Sequence, residues 1–448
     1  MLKKNDIVEL EIHDLHKDGN GIGKTVDGLV IFVANALPGD RVSAKILKAK
    51  KHYAYGKVEK IIVRSADRLA EDDSRVCPVA EQCGGCQFQK LEYAAQLTFK
   101  QKFLRDALIR IGGCENPNVL PVIAAQNPYE YRNKAQFPVG STGIGLYAAR
   151  SHRIIPIKTC NIQKNTCIAI IHKIWELLAK HPISIYNEET HTGLLRHVAV
   201  RIGENTGEVM IIFVINGKKL PSLQHIAEAF PEYKIIVNQN TAKTNVIFGD
   251  IFSEGYIHDK VDNIVYRISP GAFFQVNTAQ TRQLYDIIVD LLENSAENVS
   301  GNVLDVYSGI GGIALYVAKK LTNIAKITAI ENSEQATADA QHNAEINNIS
   351  NVEFLCGNAE TLVPETLSTG EYGTLIIDPP RKGCDAQVLA AAISANIPQI
   401  IYVSCDPATL ARDIKLLQNN GYKLISAAPV DMFPITGHIE TVCLIVRH

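Results

Sequence analysis

The last third of the chain alternates between two hydrophobic periods, and that alternation limits its fold more than any other feature. Apolar runs of strand length end at Tyr307, Glu331, Cys356, Asp378 and Ser404, with a helical segment between each and the next. Strands joined by helices pair in parallel, because each crossover returns the chain to the starting end of the sheet. Two further runs, Tyr422–Ala427 and Glu440–Val446, follow close together. They predict a closing hairpin. The expected class is α/β, with a doubly wound, Rossmann-like sheet of seven strands whose last strand is reversed.

Upstream the pattern changes twice. Residues 1–66 alternate apolar and polar positions in short runs separated by glycines: Val8–Ile12, Gly28–Val33, Arg41–Ile46 and Gly56–Ile62. Such spacing predicts a small barrel of the OB type. Lys45, Lys48, Lys50, Lys51, Lys57 and Lys60 fall here with His52, Tyr53 and Tyr55 among them. Lysines for phosphates and aromatics for bases suit single-strand binding; a lysine-protected edge strand would look the same. A helix is expected from Leu91 to about Ile111, with Leu97, Leu104 and Leu108 on its apolar side. The expected units are residues 1–66, a mixed α/β middle from 67–91 and 125–268, and a C-terminal unit from 92–124 and 269–448.

Ligands of open α/β sheets bind beyond the carboxyl ends of the strands. Val303-Leu-Asp-Val-Tyr-Ser-Gly-Ile-Gly-Gly312 reads as strand, glycine turn and helix start, so Gly309 and Gly311 can let a cofactor approach the backbone. Glu331 ends the next strand, where an acid can accept hydrogen bonds from ribose hydroxyls, and Asn358 ends the third, beside an adenine. Each alone is an ordinary loop residue; together they outline a nucleoside site. Asp378-Pro-Pro-Arg resembles an amino-methyltransferase motif, but Arg381 stands where that motif has an aromatic ring, which argues against adenine amino methylation.

Cys405 follows the fifth strand, and Glu440 begins the seventh, which should lie beside the fifth and run the other way. A thiol and a carboxylate meeting beside a nucleoside site fit methyl transfer from S-adenosylmethionine to C5 of a pyrimidine. C5 is too weak a nucleophile unaided. Thiolate addition at C6 activates it, and a base must then remove the C5 proton. A lone cysteine after a strand is more often a small core residue.

Cys77, Cys83 and Cys86 are spaced C-x5-C-x2-C with two glycines between the last pair. Three thiols this close, in a chain with ten cysteines, look like metal or iron–sulfur ligands rather than a disulfide framework. A fourth ligand is sought among Cys114, Cys160 and Cys167, and Cys160, in a loop-like context, is the choice. Spacing alone leaves zinc and iron–sulfur both open.

On these motifs the whole chain resembles the RNA uracil-C5 methyltransferases, in particular the longer bacterial members acting on 23S ribosomal RNA. The resemblance implies a TRAM-type barrel, S-adenosylmethionine as methyl donor and a [4Fe-4S] cluster on Cys77, Cys83, Cys86 and Cys160. It implies Gln275, in Ser269-Pro-Gly-Ala-Phe-Phe-Gln-Val-Asn277, and Tyr307, Glu331 and Asp378 as cofactor contacts, Cys405 as nucleophile and Glu440 as base. The chain departs from the pattern at Asp406, where Asn is common, and at Gly312, where some members have Asn.

Net charge is −2, so RNA contact must come from local basic patches. The opening Met-Leu-Lys-Lys-Asn-Asp lacks an apolar core and no apolar run reaches the roughly 18 residues of a membrane span. A cytoplasmic protein with no membrane role and no obligate protein partner is expected. Three rival readings stand beside the main one. They are the same chemistry on the tRNA T-loop, cytosine C5 methylation, which does not predict Glu440, and a non-catalytic RNA-binding assembly factor. C-x5-C-x2-C is not the spacing of radical enzymes.

Overall fold

The computed structural model describes residues 2–243, 255–294 and 301–448. Strands β1 (Ile7–Leu15), β2 (Gly21–Lys24), β3 (Val30–Ala34), β4 (Arg41–Ala49) and β5 (Tyr53–Val63) form a closed barrel in the order β1-β2-β3-β5-β4. Antiparallel pairing of β1 with β4 closes it. The alternation read from the sequence fills the interior, with Leu10, Ile12, Ile31, Val42 and Ile46 buried together. The short β2 was not foreseen. Its glycines explain why: a Cβ at Gly21 would lie 2.7 Å from the Ala36 carbonyl, so a backbone contact rather than an apolar pattern defines the strand. On the outside, Phe32 packs its ring 5.5 Å from Tyr55 and 6.1 Å from Tyr53.

Helix α1 (Tyr93–Arg110) buries Leu104 and Leu108 but also Gln96 and Lys100. Lys100 is wholly buried. Its Nζ donates to Asp431 Oδ1 at 2.5 Å and to the Phe433 carbonyl at 2.9 Å, while the Tyr93 hydroxyl donates to Asp431 Oδ2 at 2.8 Å. A lysine in such a place is tolerable only with a counter-ion and full hydrogen bonding.

The middle of the chain contributes β6 (Lys134–Gly140), β7 (Gly143–Tyr147), β8 (Ile154–Pro156), α2 (Asn165–Lys180), β9 (Leu195–Ile202), β10 (Val209–Ile215), α3 (Leu223–Ala229) and β11 (Lys234–Gln239). Its six strands order as β11-β10-β9-β6-β7-β8. All seven residues of β10 are buried. One face meets Ile171 and Ile174 of α2, and the other meets Ile257 and Tyr266 from the hairpin β12 (Ile257–Val261) and β13 (Ile264–Ile268). A strand between two cores has no polar face, hence its unbroken apolar run.

After α4 (Thr278–Glu293) come β14 (Asn302–Val306), α5 (Gly312–Lys320), β15 (Ile327–Glu331), α6 (Glu334–Ile346), β16 (Val352–Cys356), α7 (Ala359–Thr369), β17 (Tyr372–Ile377), α8 (Ala386–Ser394), β18 (Gln399–Ser404), α9 (Pro407–Gln418), β19 (Tyr422–Val430) and β20 (Glu440–Arg447). The seven strands order as β16-β15-β14-β17-β18-β20-β19, and β20 alone runs against the rest. Among the described residues no helix is long and apolar enough to cross a membrane.

The buried pair gives a stability test. Lys100→Met leaves the Asp431 carboxylate without its cation, and a loss of about 3–5 kcal/mol is expected. Urea unfolding should show it as a lowered midpoint, partly recovered when Asp431→Leu removes the stranded charge as well.

Candidate active site

The first turn of the C-terminal sheet is shaped by backbone conformations that few side chains adopt. Between β14 and α5, Gly309 and Gly311 have φ of +56° and +80°, and Tyr307, a non-glycine, sits at +68°. A left-handed tyrosine is strained by about 1–3 kcal/mol and persists only where its surroundings fix it. Here the amides of Tyr307 and Ser308 both donate to the Ile330 carbonyl at 3.0 Å. Glu331 closes the same corner. Its Oε2 accepts from the Gly309 amide at 2.9 Å and its Oε1 from the Ser333 amide at 2.8 Å, leaving lone pairs on both oxygens for a ligand's hydroxyls. Asn358 occupies the N-cap position of α7, exposed, with no capping bond from its side chain. Gln275 is buried, and its carbonyl accepts from the Asn133 side-chain amide at 3.0 Å.

Asp305 lies within β14 with both carboxyl oxygens buried, and the Ala314 amide is the one hydrogen-bond donor acting on its charge. Burial, then the charge of Asp378, pushes its pKa well above the carboxylate range. Asp378 follows β17 and is raised to about 7 by burial.

Cys405 and Glu440 are brought together by strand register. Ser404 of β18 pairs with Thr441 of β20. Continued one step beyond that pair, the register sets Cys405 beside Glu440, whose charge acts on the Cys405 thiol. Glu440 is only 4% exposed, with one oxygen buried and unpartnered. Burial drives its pKa well up and the Asp378 charge adds to that, while Arg381 pulls the other way. Burial, then Glu440, pushes the Cys405 thiol up to about 12, again against the pull of Arg381. Burial thus favours the thiol form of Cys405 over the thiolate.

Several contacts hold this corner that the sequence did not announce. Asp406 caps α9 by accepting from the Ala408 and Thr409 amides at 2.9 and 3.2 Å, and pairs with Lys17 of the barrel at 3.2 Å. Burial opposes ionisation of Asp406, but the Thr409 amide and Lys17 bring it below the usual range. The loop after Asp378 is tied down by Asp413, whose Oδ2 accepts from the Tyr402 hydroxyl at 2.7 Å and the Cys384 amide at 3.0 Å. Asp413 sits among Leu410, Ala411, Ile414 and Leu417 on the buried face of α9. A carboxylate on an apolar stripe was the signal available.

Cys77, Cys83, Cys86 and Cys160 line one small cavity, walled by Val79, Leu146 and Ile157. Burial, then Cys160, raises Cys86 to about 12, and burial also raises Cys83 and Cys160. Of the other candidates, Cys114 lies against Gln418 at 3.4 Å and Cys167 is buried within α2. Among the described residues no three side chains converge closely enough to hold a single metal ion.

The profile of tRNA (uracil-5-)-methyltransferases matches residues 217–448, and that of the TRAM domain matches residues 2–58. An uncharacterized RNA methyltransferase of Halalkalibacterium halodurans is 43% identical over 99% of this chain and 98% of its own. One from Bacillus cereus is 42% identical over 100% and 98%. The crystal structure of the Pyrococcus abyssi tRNA (uracil-54, C5)-methyltransferase with S-adenosyl-L-homocysteine superposes with a TM-score of 0.79 at 29% identity, covering 98% of this chain and 99% of that one. The chain belongs to the tRNA (uracil-5-)-methyltransferase family, with a TRAM domain at its N-terminus.

The charges around Cys405 predict its reactivity. Alkylation by iodoacetamide should be slow at neutral pH, rise as pH approaches about 12 and follow the thiolate fraction. On the alkaline limb Glu440→Gln should quicken it and Arg381→Gln slow it. Mass spectrometry of the Cys405 peptide against pH measures all three.

Proposed function

We propose that this protein is an S-adenosylmethionine-dependent RNA methyltransferase that forms 5-methyluridine in 23S ribosomal RNA. The observation that carries the chemistry is the placement of Cys405 opposite Glu440 at the ligand-binding edge of the sheet. When bound, the cofactor supplies an electrophilic methyl group. Gln275, Tyr307, Gly309, Gly311, Glu331, Asn358 and Asp378 are the residues to hold it, and the free lone pairs on Glu331 suit ribose hydroxyls.

Cys405 loses its proton to solvent and adds through sulfur to C6 of the uracil, placing the π pair of the C5–C6 bond on C5. With C5 methylated, the Glu440 carboxylate takes the C5 proton. That C–H pair becomes the C5–C6 double bond, and the C6–S pair returns to sulfur, freeing the enzyme. A uracil stacked in a helix cannot reach a buried carboxylate, so the base must be extruded or drawn from a single-stranded loop. The barrel's Phe32, Tyr53 and Tyr55 offer stacking faces, and His16 meets Phe32 at 5.6 Å one residue before Lys17, which reaches the active-site corner. That continuity supports an RNA path from barrel to Cys405.

Four thiols lining one cavity give the donor set that a [4Fe-4S] cluster takes. We assign Cys77, Cys83, Cys86 and Cys160 as ligands of a [4Fe-4S] cluster, which the methyl transfer itself does not need. Anaerobic reconstitution should give about four irons per chain and a broad visible absorbance. Cys160→Ser should lower both.

A second reading, methylation of the tRNA T-loop uridine, is favoured by the likeness to the Pyrococcus abyssi enzyme over nearly all of both chains. One experiment separates the two. Fluorine at C5 cannot leave as a proton, so 5-fluorouridine RNA should trap the enzyme in an adduct that survives a denaturing gel. The expected result is an adduct with 23S fragments, mapped to Cys405 and lost in Cys405→Ala. An adduct with tRNA alone would transfer the assignment to tRNA. No adduct with either, cofactor and RNA binding being intact, would leave an RNA-binding assembly factor.

A further inference from the structure

We propose that the segment flanking the cysteine site positions the catalytic base. The chain turns sharply between β19 and β20, and this turn delivers Glu440 to the sheet edge. Ile435, within it, has φ of +65° and is 3% exposed. A β-branched residue is among the least tolerant of that conformation, so the turn needs outside support to keep it.

Much of that support comes from residues next to the four cysteines. Phe88, two positions after Cys86, donates its amide to the Ile435 carbonyl at 2.9 Å. Gln87, between them, accepts the Gly437 amide on Oε1 at 3.2 Å. The buried Tyr131 donates its hydroxyl to the Pro434 carbonyl at 3.1 Å. The Ile435 side chain closes a small apolar cluster with Tyr131 and Ile162, against which Cys86 and Cys160 pack. From the other side Gln96 of α1 accepts the Ile435 amide at 3.0 Å. Four residues lie between Ile435 and Glu440 in sequence, and the backbone at 434, 435 and 437 is thus held by the cysteine-flanking segment, Tyr131 and α1.

The base has little freedom to relocate itself. Glu440 is buried, and one of its oxygens has no partner in the protein. Its aim is therefore set by the register of β20 together with the turn that leads the chain into that strand. Tyr131 and Gln87 act as positioning residues: they touch neither substrate nor cofactor, and they act on proton removal through the Pro434–Gly437 turn. This role needs no electron transfer by the cysteine site. It rests on the reading of Glu440 as the base that acts after C5 methylation.

The test exploits the order of the two steps. Loosening the base leaves thiol addition and methyl transfer intact and slows expulsion of the thiol, so the methylated covalent intermediate should build up. Full-length Tyr131→Phe, Gln87→Leu and the double variant would be mixed with S-adenosylmethionine and the unmodified form of whichever RNA the 5-fluorouridine trap identifies. Quenched samples on denaturing gels then give the rise and decay of the adduct. Adduct should form at the unaltered rate and decay at least about tenfold more slowly in the double variant, with Glu440→Gln as the limiting case. Thermal unfolding and iron content serve as controls for fold and cysteine site. Decay at the unaltered rate, or formation and decay slowed by one common factor, would overturn the positioning role. If the unaltered chain forms no adduct with any 5-fluorouridine RNA, the reading of Glu440 falls and this inference with it.

Discussion

Ser404 pairs with Thr441 across the antiparallel seam between β18 and β20, and everything at the catalytic corner hangs on that pairing. Side chains alternate faces along a strand, so a slip of one residue would turn Glu440 away from the face that Cys405 serves. The register is held by what each strand buries. Ile400, Tyr402 and Ile445 face one core, while Ile401, Val403 and Val442 face the other. A slip would exchange these sets and leave both cores mispacked. Hydrophobic burial on two sides of the sheet thus fixes the distance between two reactive groups, neither of which could hold the other.

With the geometry fixed, the electrostatics follow from burial. Asp305, Asp378 and Glu440 are carboxyls withdrawn from water at one edge of one sheet, and burial raises all three. Such a cluster is unfavourable to anions and receptive to a cation, which can lower the energy of several carboxylates at once. A sulfonium ligand has that charge. The thiol shows the same logic in reverse. Burial and a neighbouring carboxyl keep Cys405 protonated at rest, and Arg381 is the nearby group that pulls toward thiolate.

The parts of this design that were legible in the sequence are those that repeat. The strand–helix alternation foretold the parallel sheet and its closing hairpin, while the usual methyltransferase strand order, not the alternation, set the strand of Glu440 beside that of Cys405. The turn glycines and Glu331 stood at the strand ends where ligands bind. Illegible parts depend on single contacts between distant segments. Nothing in α1 distinguishes Lys100 from a solvated lysine until Asp431 is placed beside it. Strand β2 is defined by close backbone approach, which leaves no hydrophobic period to read. Tyr131 and Gln87 look like ordinary loop residues because their partners, Pro434 and Gly437, are backbone groups more than 300 positions away. Tyr307 has a left-handed backbone that no residue-type rule anticipates.

Asp406, the residue after Cys405, has two roles in the folded protein. Either Asp or Asn could cap α9 through a side-chain oxygen. Only the carboxylate can also pair with Lys17, on the turn between β1 and β2. That turn is packed closely, since a Cβ on Gly437 would run into the Lys17 carbonyl. Asp18 beside it lies 3.6 Å from Arg150 of the middle sheet. The barrel is therefore pinned to the catalytic corner at one side of Cys405, while the cysteine-flanking segment holds the turn that leads to Glu440 at the other. An exposed ion pair alone contributes little to stability, roughly 0–1 kcal/mol. Its consequence is geometric: it ties the β1–β2 turn of the barrel to the N-cap of α9, one residue beyond Cys405.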